Sequence, residues 1–508
     1  MNDDENIEIK KKQKIIEREY KHIPIILKRY SFANKITICR LHSLKLLKEN
    51  NIKISIQQNE IPPWILETFA LFAIMTDKEY DKKEFIIKND KTFYKIINTI
   101  SNYIHPEFTK VNKEELLNNL FMILPIQQFK YQNPDFFKIF RYNYFFSFIN
   151  EHINMPEEFQ NKFNASYNEF IDFGFFVITF LPNNFSNKVL YYVINNKYKT
   201  VIKNLMINRK NFIQKQNDLL SNNINSYFYA FKYFSNYPFI EENKIIYFPL
   251  PHLIIEAVTD SLLYRLTEQN NNLRALIGKE VIENYLFEIL KVSGLYDEVK
   301  KEQSYYIGKN KIMSPDVMLY KDNVCVLFDC KSSVPKLKLR EFDKNAIEET
   351  INLSAQRIVK LYDRLKEFGE YYYPFSKDNT FKLGNIFGVI ILLENNFISK
   401  KIIYEKAIQY KKLYDNEIEK NYLQSNVKII SMNEIEYFTF YNKNIITALT
   451  INRDQIENAN WHDMIMTNYN IPSESKIRNK LLESCDNELK ERMYKLVDEL
   501  TENGLLKK

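Results

Sequence analysis

The sequence predicts an α/β core over residues 251–441, preceded by a large mainly helical region (1–250) and followed by a helical C-terminal tail (442–508). Three observations carry that reading. From about Lys10 to Leu250, apolar residues recur at helical spacing. Phe248-Pro-Leu-Pro251 then sets two prolines close together, which discourages a continuous helix and marks a boundary. Beyond it, segments of helical and strand period alternate, the pattern of an α/β core.

The N-terminal elements follow from local signals. Pro63 opens a helix through Phe72, at the one place where a missing N–H leaves no bond unmade. Asp90 suits the N-cap of the next helix, Lys91 onward. Thr200 to Ser235 shows apolar spacing broken by Asn-rich turns. Within it, Tyr227-Phe-Tyr-Ala-Phe-Lys-Tyr-Phe234 reads as an aromatic-rich amphipathic core helix; the alternative is a base-stacking surface in which Lys grips phosphates. There is no G-x-x-x-x-G-K-[ST] loop, which argues against an ATP-driven motor.

Composition bounds the rest. The 508 residues are 45% hydrophobic and 15% aromatic, enough for two or three sizeable cores, and 8 Gly with 15 Pro argue against a loop-rich all-β fold. Four scattered cysteines form no C-x-x-C pair and no disulfide framework, which fits a reducing cytoplasm. A net charge of +7 permits nucleic-acid binding without demonstrating it. No apolar signal core follows the acidic start, and the most apolar run, Phe170 to Leu181, is too short to span a bilayer; no membrane partner is expected.

In the core, His252 to Leu266 reads as one amphipathic helix, with His252 an N-terminal helix residue rather than a ligand. Ala275 to Lys291 is a strong helix ending near Gly294, its buried stripe Val281, Ile282, Tyr285, Leu286 and Ile289. Val317 to Tyr320 is a short strand, Lys321-Asp322-Asn323 a polar turn, and Val324 to Phe328 a fully apolar strand. Ala346 to Glu367 is helical, Leu383 to Glu394 a buried strand, and Phe397 to Leu423 helical again. Asn426 to Ser431 and Tyr437 to Tyr441 suggest further strands. In the tail, Trp461-His462 has no catalytic company, and Lys476 to Lys508 reads as a charged packing or dimer helix.

The chemistry gathers around the predicted hairpin. It brings Asp316 beside Asp329, and the period of 2 puts Lys331 on the same face as Asp329. Two acids and an ammonium at a sheet end suit a divalent metal facing a phosphate. Mg²⁺ takes one or two carboxylates and keeps waters, so Asp316 and Asp329 suffice, with the carbonyl of Cys330 as a third oxygen. Lys331 would orient or deprotonate the attacking water, or stabilise developing negative charge. The plainer reading makes Asp316 a turn cap and the other two a solvated strand end.

Pro315-Asp316, about 12 intervening residues, then Asp329-Cys330-Lys331 resembles the signature of the PD-(D/E)xK nuclease superfamily. The resemblance covers about the middle third of the chain. It implies a restriction-endonuclease-like core, a mixed sheet flanked by helices, and Mg²⁺-dependent phosphodiester hydrolysis, with Mn²⁺ able to substitute. It also implies an acid from the helix before the first catalytic strand. Glu283, mid-helix at the margin of the buried stripe, is the first choice and Glu288 the second, while Glu280 lies nearly opposite the stripe. Some members carry a Gln near the substrate on the helix after the Asp-x-Lys. Gln356 is the counterpart, although Lys360 stands where a Tyr would follow, and an ordinary surface Gln is the alternative. Lys336, Lys338 and Arg340 form a basic stretch that could hold backbone phosphates or be a solvated loop.

The expected function is therefore metal-dependent cleavage of nucleic acid, foremost endonucleolytic cleavage of double-stranded DNA in restriction or anti-phage defence. The alternatives are a catalytically silent nucleic-acid-binding or regulatory module on the same fold, and an RNase or repair nuclease. A homodimer would fit the need to cut two strands, and a defence-system partner protein is the other partner expected.

Overall fold

A computed structural model of the chain describes residues 3–48, 61–76, 91–105, 135–183, 192–220, 223–332, 343–370, 385–394, 398–451, 453 and 479–505. Asp90, Lys336, Lys338, Arg340, Trp461 and His462 lie outside them. The chain divides into two compact units, neither continuous in sequence. The first comprises Met1–Asp135, Glu158–Leu266 and Glu491–Lys508; the second comprises Phe136–Glu157 and Thr267–Lys490. The divisions at 250 and 441 expected from sequence are thus not the ones packing makes. No described helix is long and apolar enough to cross a membrane.

The first unit is mainly helical. Pro63–Met75 begins at the expected proline and is buried on nearly all sides, because its sequence is apolar all round. Tyr167–Phe180 contains most of the apolar run noted above; a reciprocal capping box between Ser166 and Glu169 starts it. A small sheet interrupts the helices: β1 (Met206–Asn208) pairs parallel with β2 (Phe239–Glu242), which pairs antiparallel with β3 (Ile245–Tyr247).

Two expectations fail here. Tyr227 to Phe234 is not a helix but bends between short 3₁₀ turns, and Tyr227, Phe228 and Tyr229 are buried, so these rings offer no stacking surface. Asn223 accepts from the Asn225 amide, a local bond that competes with helix formation. The expected single helix from His252 breaks at Thr259 into Ile254–Val258 and Asp260–Thr267. There the Thr259 hydroxyl donates back to the Ile255 carbonyl at 2.5 Å, a bond that bends helices. His252 lies in the preceding 3₁₀ turn, its Nδ1 2.8 Å from the Ser43 hydroxyl.

The second unit is built on a five-stranded mixed sheet, flanked by helices, so this part of the chain is α/β. Its strands are β4 (Glu298–Lys301), β7 (Val317–Lys321), β8 (Val324–Lys331), β9 (Ile386–Leu392) and β10 (Val427–Ser431). Between β4 and β7 the chain makes a separate antiparallel hairpin, β5 (Ser304–Ile307) with β6 (Asn310–Met313). The order is β10-β9-β8-β7-β4; β8, β9 and β10 run parallel, while β7 is antiparallel to both β8 and β4. One sheet face, with Met318, Leu327 and Ile390, packs against Ala355, Ile358, Leu361 and Leu365 of helix Lys344–Glu370. Helix Glu283–Val292 packs against β4 and β7.

Leu361 lies over Gly388 of β9 so closely that an added Cβ would come 2.7 Å from its Cγ. Gly388→Ala is therefore expected to destabilise the fold by about 1–3 kcal/mol through overpacking, measured as a lower urea midpoint at unchanged slope. The segment expected as a strand at Tyr437 is instead helix Met432–Phe440. A capping box of Ser431 and Glu434 starts it directly after β10, and this overrides the β preference of its aromatics.

Arg141, on helix Asp135–Ser147, is fully buried. Its guanidinium grips both carboxylate oxygens of Glu436 (2.8 and 2.7 Å) and donates to Glu394 (2.9 Å) and the Leu393 carbonyl. Tyr285 donates to the same Glu436. This ionic cluster explains why residues before the expected boundary belong to the second unit.

The C-terminal helix, Lys480–Glu502, serves both units separately. Asn143 donates to its Cys485 within the second unit, and its Arg492 pairs with Asp172 within the first.

Candidate functional site

The β7–β8 hairpin turns on Asp322 and Asn323, both at positive φ (50° and 63°). Asn and Asp tolerate that left-handed backbone, and a two-residue turn of this kind matches the twist of the strands. The turn fixes the register: Lys321 faces Val324 and Val317 faces Phe328. One step further, Asp316 stands opposite Asp329. Asp316 follows Pro315, beyond the end of β7, while β8 continues to Lys331.

Here the side chains meet. Asp316 Oδ2 accepts from the Cys330 amide at 2.6 Å, and Lys331 Nζ donates to Asp329 Oδ1 at 2.7 Å. Asp329 and Lys331 are partly exposed, at 16% and 29% of their side-chain surface, so the group is open to a ligand yet partly desolvated. The Lys331 carbonyl accepts from Leu393 on the β9 side. By strand alternation Cys330 directs its backbone the other way, toward Asp316, which holds its N–H. The Cys330 carbonyl therefore lies on the Asp316 side.

The electrostatics follow from this crowding. Burial first, then the neighbouring Asp329 charge, pushes Asp316 up to about 6. Glu283 is pushed up to about 8, by burial and then by Asp316. Burial pulls the Lys331 ammonium down, but Asp329 and Asp316 outweigh it and hold Lys331 above its usual value. It is a fixed cation here, suited to orienting and stabilising charge rather than to removing a proton.

Of the competing glutamates, Glu283 feels Asp316 and Lys331, whereas Glu288 adds to the upward push that burial puts on the Tyr144 hydroxyl and Glu280 accepts from Asn150. Glu283 starts a regular helix immediately after a π-helical turn, Ile277–Ile282, that the sequence did not announce. Such turns recur at functional sites. In this one, Gly278 lies against Ser332, just past Lys331; an added Cβ would come 3.0 Å from the Ser332 hydroxyl.

Gln356 is exposed on the Lys344–Glu370 helix, and its neighbour Arg357 instead interacts with Asp329 and Lys331. Glu302, just past β4, also acts on Asp316 and Glu283, and its amide donates to the Asp316 carbonyl. Neither residue stood out in the sequence. The buried spacing Ala355, Ile358, Leu361 would have placed Arg357 at the margin of the stripe.

Among the described residues no three Asp, Glu, His or Cys side chains form a ready metal cage. The donors nevertheless fit a hard divalent cation that needs only one or two carboxylates. Two acids face each other, Asp316 raised by burial and then by Asp329, and Lys331 is the close countercharge.

This crowding has a stability signature. Folded Glu283 and Asp316 titrate above their ordinary values, so the stability they contribute is present in acid and lost as pH rises through about 6 and then about 8. Glu283→Gln should match wild type near about pH 5 and exceed it near about pH 9 by about 1–2 kcal/mol after solvent screening, in urea unfolding with EDTA. Equal midpoints at both pH values would show that Glu283 is not crowded.

Comparison with family models, with curated proteins and with solved structures finds no match to this chain.

Proposed function

We propose that the chain is a metal-dependent nuclease with a restriction-endonuclease-like core, hydrolysing phosphodiester bonds at the open end of the β7–β8 hairpin. The observation that carries this reading is the convergence of Asp316, Asp329 and Lys331 at one strand end, with Glu283 pushed up by burial and then by Asp316.

Asp316, Asp329 and the Cys330 carbonyl would hold Mg²⁺ or Mn²⁺, which when bound supplies Lewis-acid stabilisation of charge on the scissile phosphate. Lys331 donates hydrogen bonds that orient the attacking water and stabilise negative charge developing on the phosphoryl oxygens. Asp329 holds Lys331 in place at 2.7 Å. Glu283, when ionised, adds attraction for the cation. No covalent intermediate is needed.

The resemblance favours duplex DNA as the substrate and internal cleavage as the mode. The test incubates the full chain with supercoiled plasmid, linear duplex, single-stranded DNA and RNA, in Mg²⁺, Mn²⁺ or EDTA. Nicking or linearisation of plasmid with either metal and none in EDTA is expected. Cleavage confined to RNA would move the substrate class. No cleavage in any arm, with retained binding, would favour a silent binding module and overturn the nuclease reading.

A further inference from the structure

We infer that Arg357 is a phosphate-binding residue of this site, gripping a non-bridging oxygen of the substrate's phosphodiester beside Lys331. The inference rests on the nuclease reading for its substrate, but its first observation is geometric. Leu361 of the Lys344–Glu370 helix sits over Gly388, and Gly388 pairs with Leu327 of β8. The helix connects β8 to the parallel β9, so it runs back against the strand direction. Stepping back four residues from Leu361 rises about 6 Å, the length of about two strand residues. Arg357 is thereby level with Asp329, which pairs with Ile390 two residues beyond Gly388.

The environment agrees with the geometry. Arg357 is half-buried, and the charges acting on it are Asp329, which attracts it, and Lys331, which it opposes. Among the described residues it makes no hydrogen bond or ion pair, while Lys331 holds Asp329 Oδ1. A partly desolvated guanidinium without a close partner is unfavourable alone, and a phosphate oxyanion satisfies its fork of donors. Burial lowers its affinity for the proton, but a guanidinium stays charged across the working pH range. Gln356, one position away and exposed, is the natural control.

The test measures dTMP binding by calorimetry and binding of a mixed-sequence duplex oligonucleotide by fluorescence anisotropy. Ca²⁺ replaces Mg²⁺, using wild type, Arg357→Ala, Arg357→Lys and Gln356→Ala, with thermal melts to confirm folding. Arg357→Ala is expected to weaken dTMP binding about tenfold or more, a scale set by loss of a charge-assisted bond, with partial recovery in Arg357→Lys and none of the loss in Gln356→Ala. If Arg357→Ala does not fold, Arg357→Lys and Arg357→Gln carry the comparison. Wild-type-like dTMP binding in the Arg357 variants, or no dTMP binding by wild type, would overturn the inference. The two readings fail separately. A wild type that cleaves nothing yet binds dTMP through Arg357 would sink the nuclease alone, whereas an active enzyme indifferent to Arg357 would sink only this assignment.

Discussion

Asp329→Ala should lose cleavage by ~10²–10⁴-fold in kcat while remaining folded, the range seen when a group acting on transition-state charge is removed. The substitution acts twice. It removes a carboxylate for the cation, and it releases Lys331, whose ammonium it holds at 2.7 Å. Folding should suffer little, because Asp329 is partly exposed and the relief of Asp316 from its charge opposes the loss of its attraction for Lys331 and Arg357. Asp316 would then ionise more easily. The expected signature is a melting temperature close to wild type, together with a collapsed rate. Asp329→Asn, which keeps the shape, should be nearly as inactive. A variant that loses activity only in proportion to unfolding would place Asp329 in the scaffold instead.

Arg141→Ala should have the opposite signature. Arg141 and Glu436 are both fully buried, and the arginine also satisfies Glu394 and the Leu393 carbonyl. Breaking a buried pair by removing one partner strands the other charge, and about 3–5 kcal/mol of stability should be lost. The effect should reach the site as well, since the Leu393 amide donates to the Lys331 carbonyl and fixes the end of β8. Chemical denaturation should show an earlier transition. Arg141→Met combined with Glu436→Leu should recover much of the loss, because an apolar pair of similar volume leaves no stranded charge. A double variant as unstable as the single one would mean that the site needs the arginine's shape rather than its pairing.

What could be read in the sequence was what local chemistry decides. The hairpin followed from two short apolar runs either side of the polar Lys321-Asp322-Asn323, of which the last two make the turn, and its register sets Asp316 opposite Asp329. Helical angle set Glu280 aside, but only the resemblance ranked Glu283 ahead of Glu288, and the π turn before Glu283 had no sequence signal. Long-range packing was hidden. Arg141 pairs with Glu436 295 residues later, and no local pattern reports such a contact. Met432–Phe440 carries strand-like aromatics, but its cap and burial make it a helix. Gln356 against Arg357 is a matter of helix sidedness, decided by where Leu361 seats over Gly388 on another strand.

Manganese titration followed by electron paramagnetic resonance tests the metal-binding role of the hairpin acids apart from any substrate. Wild type should bind Mn²⁺, displaceable by excess Mg²⁺, and both Asp316→Asn and Asp329→Asn should bind it at least about tenfold more weakly, as expected when one of only a few carboxylate ligands is lost. Binding of equal strength in wild type and both variants would contradict a cation held between these two acids.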